Sequence, residues 1–267
     1  MGNFVNVSKE GQCDYIALTE KPFEKVLAIE KKISLHRFSF VKKYRSSQVF
    51  YDTNTNLLEK AGIVLSKINT PDKTYFMVER QSFLPKTFSR RNEQVFIHEV
   101  GARDKVSDHA FYLVDGIKSL FITQFTIDLE NVLKNITPKI ILTYDILKYN
   151  VLSGGGFKAI LLFKDVKIKN LETKRKFSTK LLNVSLDCPD TYMTAFKYFN
   201  QQIDKYCKEF LHFDETLYDY AHRVTKAIPQ KKLTKEEKLK LKNKNKIIEE
   251  NIEWTTKRTW NLSKNRL

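Results

Sequence analysis

Val49-Phe50-Tyr51-Asp52-Thr53-Asn54-Thr55-Asn56-Leu57-Leu58-Glu59-Lys60-Ala61-Gly62-Ile63-Val64-Leu65 is the most informative stretch of the chain. Its start, Gln48 to Tyr51, is an apolar and aromatic run of strand length. The run of Asp, Asn and Thr after it carries turn chemistry. From Gly62 to Ile68 the β-branched residues return, which reads as a second strand. Working outward, the sequence up to about residue 100 reads as short strands separated by turns, with further candidates at Lys25 to Leu35, Thr74 to Gln81 and Gln94 to Val100. Between Asp104 and Ile136 the apolar period lengthens to three or four, through Leu120, Phe121, Phe125, Leu129 and Leu133, which is helical. Strands resume at Lys139 to Val151 and Phe157 to Lys169. The intervening Ser153-Gly154-Gly155-Gly156 reads as a hairpin turn, since no Gly-Lys-Ser/Thr follows it to make a phosphate loop. Lys180 to Leu186 is the last strand candidate. Asp187-Cys188-Pro189-Asp190 then caps a helix whose face is Met193, Phe196, Ile203, Cys207 and Phe210. Glu215 to Lys226 is a second amphipathic stretch, with His212-Phe213-Asp214-Glu215 read as its cap.

The central stretch resembles the second-strand region of the CYTH superfamily, the triphosphate tunnel enzymes. Members of that family read aromatic-Tyr-Asp-Thr, then Leu-Leu, then Ala-Gly-Ile-x-Leu-Arg-x-Arg, and the spacing here matches without a gap. Upstream, Ala28-Ile29-Glu30-Lys31-Lys32 is similar to the family's opening Glu-x-Glu-x-Lys strand. Downstream, Phe76-Met77-Val78-Glu79-Arg80 stands in the place of its strand ending in Lys. The resemblance is strongest over residues 28–80. It implies an α+β fold: an antiparallel β-barrel or tunnel with flanking helices over residues 1–225, followed by a basic helical extension over 226–267.

The resemblance also implies chemistry. In the family, tunnel cations hold a triphosphate chain, while paired carboxylates hold one or two divalent cations. Alternate residues of a strand share a face, so Glu-x-Glu-x-Lys offers two metal ligands and one phosphate ligand to one cavity. Mg²⁺ or Mn²⁺ suits such oxygen ligands. Here the pattern is eroded. The first acidic position falls on Ala28, leaving Glu30 as the candidate metal ligand and Lys32 as a phosphate ligand. The Arg-x-Arg pair falls on Ser66 and Ile68, with Lys67 on the opposite face. The later Glu-x-Glu strand best matches Asn183-Val184-Ser185. The basic cluster before the hairpin keeps Lys139 and Lys148 but has Tyr144, Asp145 and Ile146 where arginines are expected. The candidate phosphate ligands are therefore Lys32, Arg80, Lys139, Lys148 and Lys158, joined by Lys164. Glu79, Glu99, Asp145 and Asp165 are strand carboxylates open to two readings, a relocated metal site or surface ion-pair partners. His98 is likewise open to a general-base or a structural reading.

Charge points to the class of partner. The chain carries 47 Lys and Arg against 31 Asp and Glu, a formal net charge of +16. Residues 226–267 hold 13 of those cations and five Glu, which is half of the excess. Such a balance favours a polyanion, nucleic acid or polyphosphate, with a protein assembly as a further possibility. Thr234 and Glu237 form a capping-box pattern that opens a long basic helix. Lys238, Lys242 and Lys246 lie along it; Trp254, Lys257, Arg258 and Trp260 follow. Cations interleaved with aromatics suit a nucleic-acid surface, and a solvated helix with its two indoles docked on the protein's own body is the other reading.

The apolar runs are of strand length, well below the ~20 residues of a membrane helix. No basic segment followed by an apolar one opens the sequence, and Asn6 stands where a myristoylation signal has Ser or Thr. The three cysteines have no metal-ligand spacing. A cytoplasmic, reduced protein without membrane contact is expected. H-E-x-x-H, Walker A, G-x-S-x-G and dinucleotide fingerprints are absent from the sequence. Two functions are carried forward. One is an eroded, non-catalytic tunnel protein that binds a polyanion or serves as a scaffold, needing no cofactor. The alternative is a Mg²⁺- or Mn²⁺-dependent triphosphatase acting on tripolyphosphate, a nucleoside triphosphate or RNA 5′ ends.

Overall fold

A computed structural model describes residues 2–8, 12–19, 22–32, 36–80, 92–120, 128–153, 156–186, 189–213 and 215–226, all of which belong to one compact unit, Met1–Lys226. The chain opens with β1 (Gly2–Ser8), β2 (Gln12–Ala17), α1 (Pro22–Leu27) and α2 (Ile29–Lys32). There follow β3 (His36–Asp52), α3 (Leu57–Lys60), β4 (Ile63–Asn69), β5 (Thr74–Arg80) and β6 (Asn92–Val100). A 3₁₀ turn at Val106–His109 leads into α4 (Ala110–Leu120) and then α5 (Leu129–Lys134). The remaining elements are β7 (Thr137–Ser153), β8 (Lys158–Asn170), β9 (Lys176–Leu186), α6 (Pro189–Tyr206), β10 (Phe210–His212) and α7 (Leu217–Thr225).

The strands form one antiparallel sheet in the order β1-β6-β5-β4-β3-β7-β8-β9-β2-β10. Among the described residues β1 and β10 are its free edges, so the expected barrel is an open, curled sheet. The long central pair β3 and β7 sets the curl. Register shifts between Phe40 and Lys42 and between Phe50 and Tyr51 bend β3, as bulges do. The hairpin expected at residues 153–156 joins β7 to β8, with Leu152 opposite Lys158. Gly156 there has φ +86°, and a Cβ would meet the Tyr192 hydroxyl at 2.6 Å.

Side-chain alternation divides the protein into three packed layers. On the concave face lie Phe50, Val64, Ile140, Leu142, Tyr144, Val166 and Leu181, with Tyr218 and Ala221 of α7 against them. On the opposite face, Tyr15, Leu161, Phe163, Leu182 and Val184 pack under Val26, Ile29, Phe196, Phe199 and Ile203 of α1, α2 and α6. Further along that face, Leu65, Phe76, Val78 and Phe96 pack under Leu113, Ile117, Leu129 and Leu133 of α4 and α5. Each such fully buried side chain contributes about 1.5 to 3 kcal/mol relative to exposure.

One strand expectation is corrected. Residues 25–32 do not extend, and residues 33–35 lie outside the described residues; Pro22 opens a helix, Glu24 sits in its first turn, and Val26 and Ile29 are buried three residues apart. A spacing of three is the helical period, and Pro at the first helical position favours that start. Conversely β1, β2 and β10 were not expected, and Gln48 to Tyr51 is the end of a 17-residue strand. The cap of α7 is Thr216, whose hydroxyl accepts from the Asp219 amide at 3.1 Å, rather than the preceding residues 212–215.

Candidate functional site

The Tyr-Asp-Thr stretch is an architectural joint. Asp52 is 2% exposed, and its Oδ1 accepts from the amides of Thr53 at 2.6 Å and Leu58 at 2.9 Å. Its Oδ2 accepts from the Glu59 amide at 2.9 Å. The Thr53 hydroxyl accepts from the Leu57 amide at 3.0 Å. Asn56, the residue at the α3 cap, is left-handed (φ 55°) and makes no side-chain cap bond. Asp52 and Thr53 therefore supply the acceptors that the first turn of α3 needs, reaching from the end of β3.

The concave face encloses a cavity of about 420 Å³ lined from seven strands and from Phe213, Thr216, Leu217 and Tyr218. β2 contributes Gln12 and Asp14, β3 Gln48 and Phe50, and β5 Met77, Glu79 and Arg80. Lys164 comes from β8, and Leu181 and Asn183 from β9. Phe213, Leu217 and Tyr218 close one side, with Tyr218 set against Phe50 at 5.2 Å between ring centroids. A central cavity on a curled antiparallel sheet, with the Val49–Leu65 stretch running unbroken through β3, α3 and β4, is the arrangement the sequence resemblance implies. No family model and no curated protein matches the chain. Solved structures that resemble it include a Hippeastrum protein assigned as an adenylyl cyclase and reported with a dominant triphosphatase activity. That pair has 10% identity and a TM-score of 0.46, over 82% of this chain and 98% of the other. A Bacillus halodurans protein assigned as an adenylate cyclase gives 9% identity and a TM-score of 0.44, over 79% and 98%. The Mimivirus capping-enzyme triphosphatase gives 8% and 0.28, over 73% and 91%.

The strand that precedes two helices and β3 is β2, whereas residues 28–32, where the sequence resemblance expects a strand, end those helices. Its cavity-facing pair is Gln12 and Asp14. Asp14 lies opposite Asn183 of β9, which donates from Nδ2 to Asp14 Oδ1 at 2.9 Å, and Gln12 lies opposite Ser185. Across the floor, Tyr144 donates from its hydroxyl to Gln48 Oε1 at 2.9 Å, and Gln48 Nε2 donates to Ser66 Oγ at 3.1 Å. Burial pushes the Tyr144 hydroxyl pKa well above its ordinary value, so this chain of bonds stays neutral. Tyr144 and Ser66 are two of the positions where the family resemblance expects arginine. The cavity's charged lining is Asp14 and Glu79 against Arg80 and Lys164, which balance. A triphosphate drawn inside would keep most of its charge uncompensated.

These residues do not make a divalent-metal cage. Among the described residues no three His, Cys, Asp or Glu converge. Amide and hydroxyl groups stand where paired carboxylates are needed.

Of the sequence candidates, Arg80 lines the cavity, as do Glu79 and Lys164. Glu30 lies outside it, exposed on α2, where Oε1 accepts from the Phe38 amide at 3.1 Å. Lys32 ends the same helix, and its side chain lies outside the described residues. Lys139 is buried but paired with Glu172 at the far end of β7. Lys148 shares the strand face of Tyr144 and Ile146 without lining the cavity, and Lys158 is exposed at the start of β8. Asp145 pairs with Arg45 at 2.9 Å and Lys167 at 3.7 Å, Asp165 with Lys180 at 3.7 Å and Glu99 with Lys73 at 3.0 Å, as surface partners. Lys238, Lys242, Lys246, Trp254, Lys257, Arg258 and Trp260 lie outside the described residues.

His98 is on the face opposite the cavity. His109 donates from Nε2 to Asp104 Oδ2 at 3.0 Å, which leaves its Nδ1 to accept from His98 Nε2 at 2.9 Å. Burial, and then the neighbouring His109, lower the His98 pKa. The pair ties β6 to the 3₁₀ turn, a structural role rather than that of a general base.

The residues missed from sequence are Gln12 and Asp14. Their signal was present: Cys13, Tyr15 and Ala17 alternate with them and pack in the opposite layer.

Proposed function

We propose that the protein is a catalytically eroded CYTH-like module that binds a polyanion through its cationic surface rather than by holding a metal triphosphate in its tunnel. One observation carries this reading. Where the family resemblance expects carboxylate and arginine pairs, the side chains of the concave face bond to one another, Asn183 to Asp14 and Tyr144 to Gln48 to Ser66. The net charge of +16, half of it within residues 226–267, supports the polyanion class.

The test is phosphate release from tripolyphosphate, GTP and 5′-triphosphorylated RNA, with Mg²⁺ and Mn²⁺ titrated and Glu79→Gln run in parallel. The expected result is no metal-dependent release from wild type. Release that the substitution abolishes would establish the triphosphatase reading, with Glu79 as a relocated ligand.

A further inference from the structure

The face of the sheet opposite the cavity is covered at two places, by α1, α2 and α6 and by α3 to α5. Between them the β3-β7-β8-β9 ribbon is bare among the described residues, and the strand register divides it into rows. The first row, Arg45–Asp145–Asp165–Lys180, neutralises itself through the Arg45–Asp145 and Lys180–Asp165 pairs. The second, Thr143–Lys167–Ser178, sets an exposed lysine between two hydroxyls. The third places Lys169 directly opposite Lys176, both exposed. Lys174, in the turn that joins these strands, adds another exposed cation at φ 59°.

Like charges directly opposed on a sheet are destabilising. Among the described residues no carboxylate pairs with Lys169, Lys174 or Lys176, although Asp145 and Asp165 satisfy their neighbours one row away. The fold thus leaves Lys169, Lys174 and Lys176 without a carboxylate partner among the described residues, beside Lys167, which lies 3.7 Å from Asp145. Hydroxyls beside lysines are what phosphate oxygens accept from. Insertion into a lipid surface needs exposed apolar side chains among the cations; here Thr143 and Ser178 flank Lys167, and Ile141 and Val49, in line with Lys169, are part-buried rather than exposed. Stacking of unpaired bases needs aromatic side chains, and these rows contain none.

We propose that this bare face, centred on Lys169, Lys174 and Lys176, docks the phosphate backbone of a nucleic-acid duplex without reading its sequence. The proposal rests on the polyanion reading and locates it on the described domain, apart from residues 227–267. Each lysine that displaces a counterion adds ~0.9 to the slope of log affinity against log salt.

The experiment measures binding of a short RNA duplex by fluorescence anisotropy from about 50 to 200 mM salt. Full-length wild type, K169Q/K174Q/K176Q and K238Q/K242Q/K246Q are compared, with the matching single strand, tripolyphosphate and phosphatidylserine vesicles as further ligands. Removing opposed lysines relieves repulsion, so the first variant keeps or raises its Tm. Its slope is expected to flatten by ~2.7, so that wild type loses about 40-fold more affinity across that salt range. An unchanged slope in this variant, with flattening only in the second, overturns the proposed face and leaves the polyanion reading standing. Tighter binding of the single strand or of vesicles than of duplex overturns the choice of occupant. Failure of wild type to bind any of the four ligands overturns the polyanion reading together with the proposal.

Discussion

Replacing Asp52 tests what the Tyr-Asp-Thr stretch does for the fold. Its two oxygens accept three backbone amides, those of Thr53, Leu58 and Glu59, at 2.6 to 2.9 Å, in a site that is 2% exposed. Hydrogen bonds to a charged group are worth about 1.5 to 3 kcal/mol each, and a buried donor left without a partner costs about 1 to 3 kcal/mol. Asp52→Asn keeps one oxygen, which holds the Thr53 and Leu58 amides, and turns an amide NH₂ toward the Glu59 N–H. The expected loss is about 2 to 3 kcal/mol. Asp52→Ala strands all three donors, and the expected loss is about 4 to 6 kcal/mol. Urea unfolding followed by circular dichroism reads both, with the m-value held constant as the check that the transition is unchanged. Near-equal losses in the two variants, or a loss below about 1 kcal/mol for Asp52→Ala, would refute the capping account.

Further outcomes follow from other buried groups. His36 is 5% exposed, and among the described residues neither ring nitrogen has a partner; its ring meets Phe199 edge-on at 5.1 Å. His36→Phe is expected to raise stability by about 1 to 3 kcal/mol in urea unfolding at pH 7, and a loss would contradict that packing. Burial lowers the His36 pKa, so the unfolded chain takes up the proton more readily and stability falls as pH drops below about 6.5. His36→Phe is expected to flatten that fall, leaving the share of His98, and an undiminished slope would show that His36 is not its source. Gly116 lets α4 approach β6 so closely that a Cβ would lie 2.3 Å from the Phe96 ring. Gly116→Ala is expected to cost about 1 to 3 kcal/mol, read by thermal melting, and a neutral result would mean that the ring turns aside freely.

How far the sequence alone reached can be judged residue by residue. The β3-α3-β4 joint was legible because turn residues at fixed spacing leave little choice of backbone, and Asp52 and Thr53 are bound locally. The β7-β8 hairpin was legible from its glycines and flanking apolar runs. Residues 25–32 are helical where the family motif predicts a strand, and the spacing of Val26 and Ile29 is the helical signal within them. Candidates sought there, Glu30 and Lys32, fall on α2, two elements beyond the cavity-lining Gln12 and Asp14 of β2. The Asp14–Asn183 bond joins residues 169 apart and could not be seen from either strand alone. The cationic rows were hidden for the same reason: Lys169 faces Lys176 only once the register of β8 and β9 is known.

The proposal that the cavity does not hold a divalent metal is tested most directly by titrating Mn²⁺ into the full-length protein and following free ion by electron paramagnetic resonance. With Asp14 engaged by Asn183 and, among the described residues, only Glu79 as a second carboxylate on the lining, the expected result is a signal that rises as in buffer, with no stoichiometric site. One bound Mn²⁺ per chain, lost in Asp14→Asn or Glu79→Gln, would contradict the account.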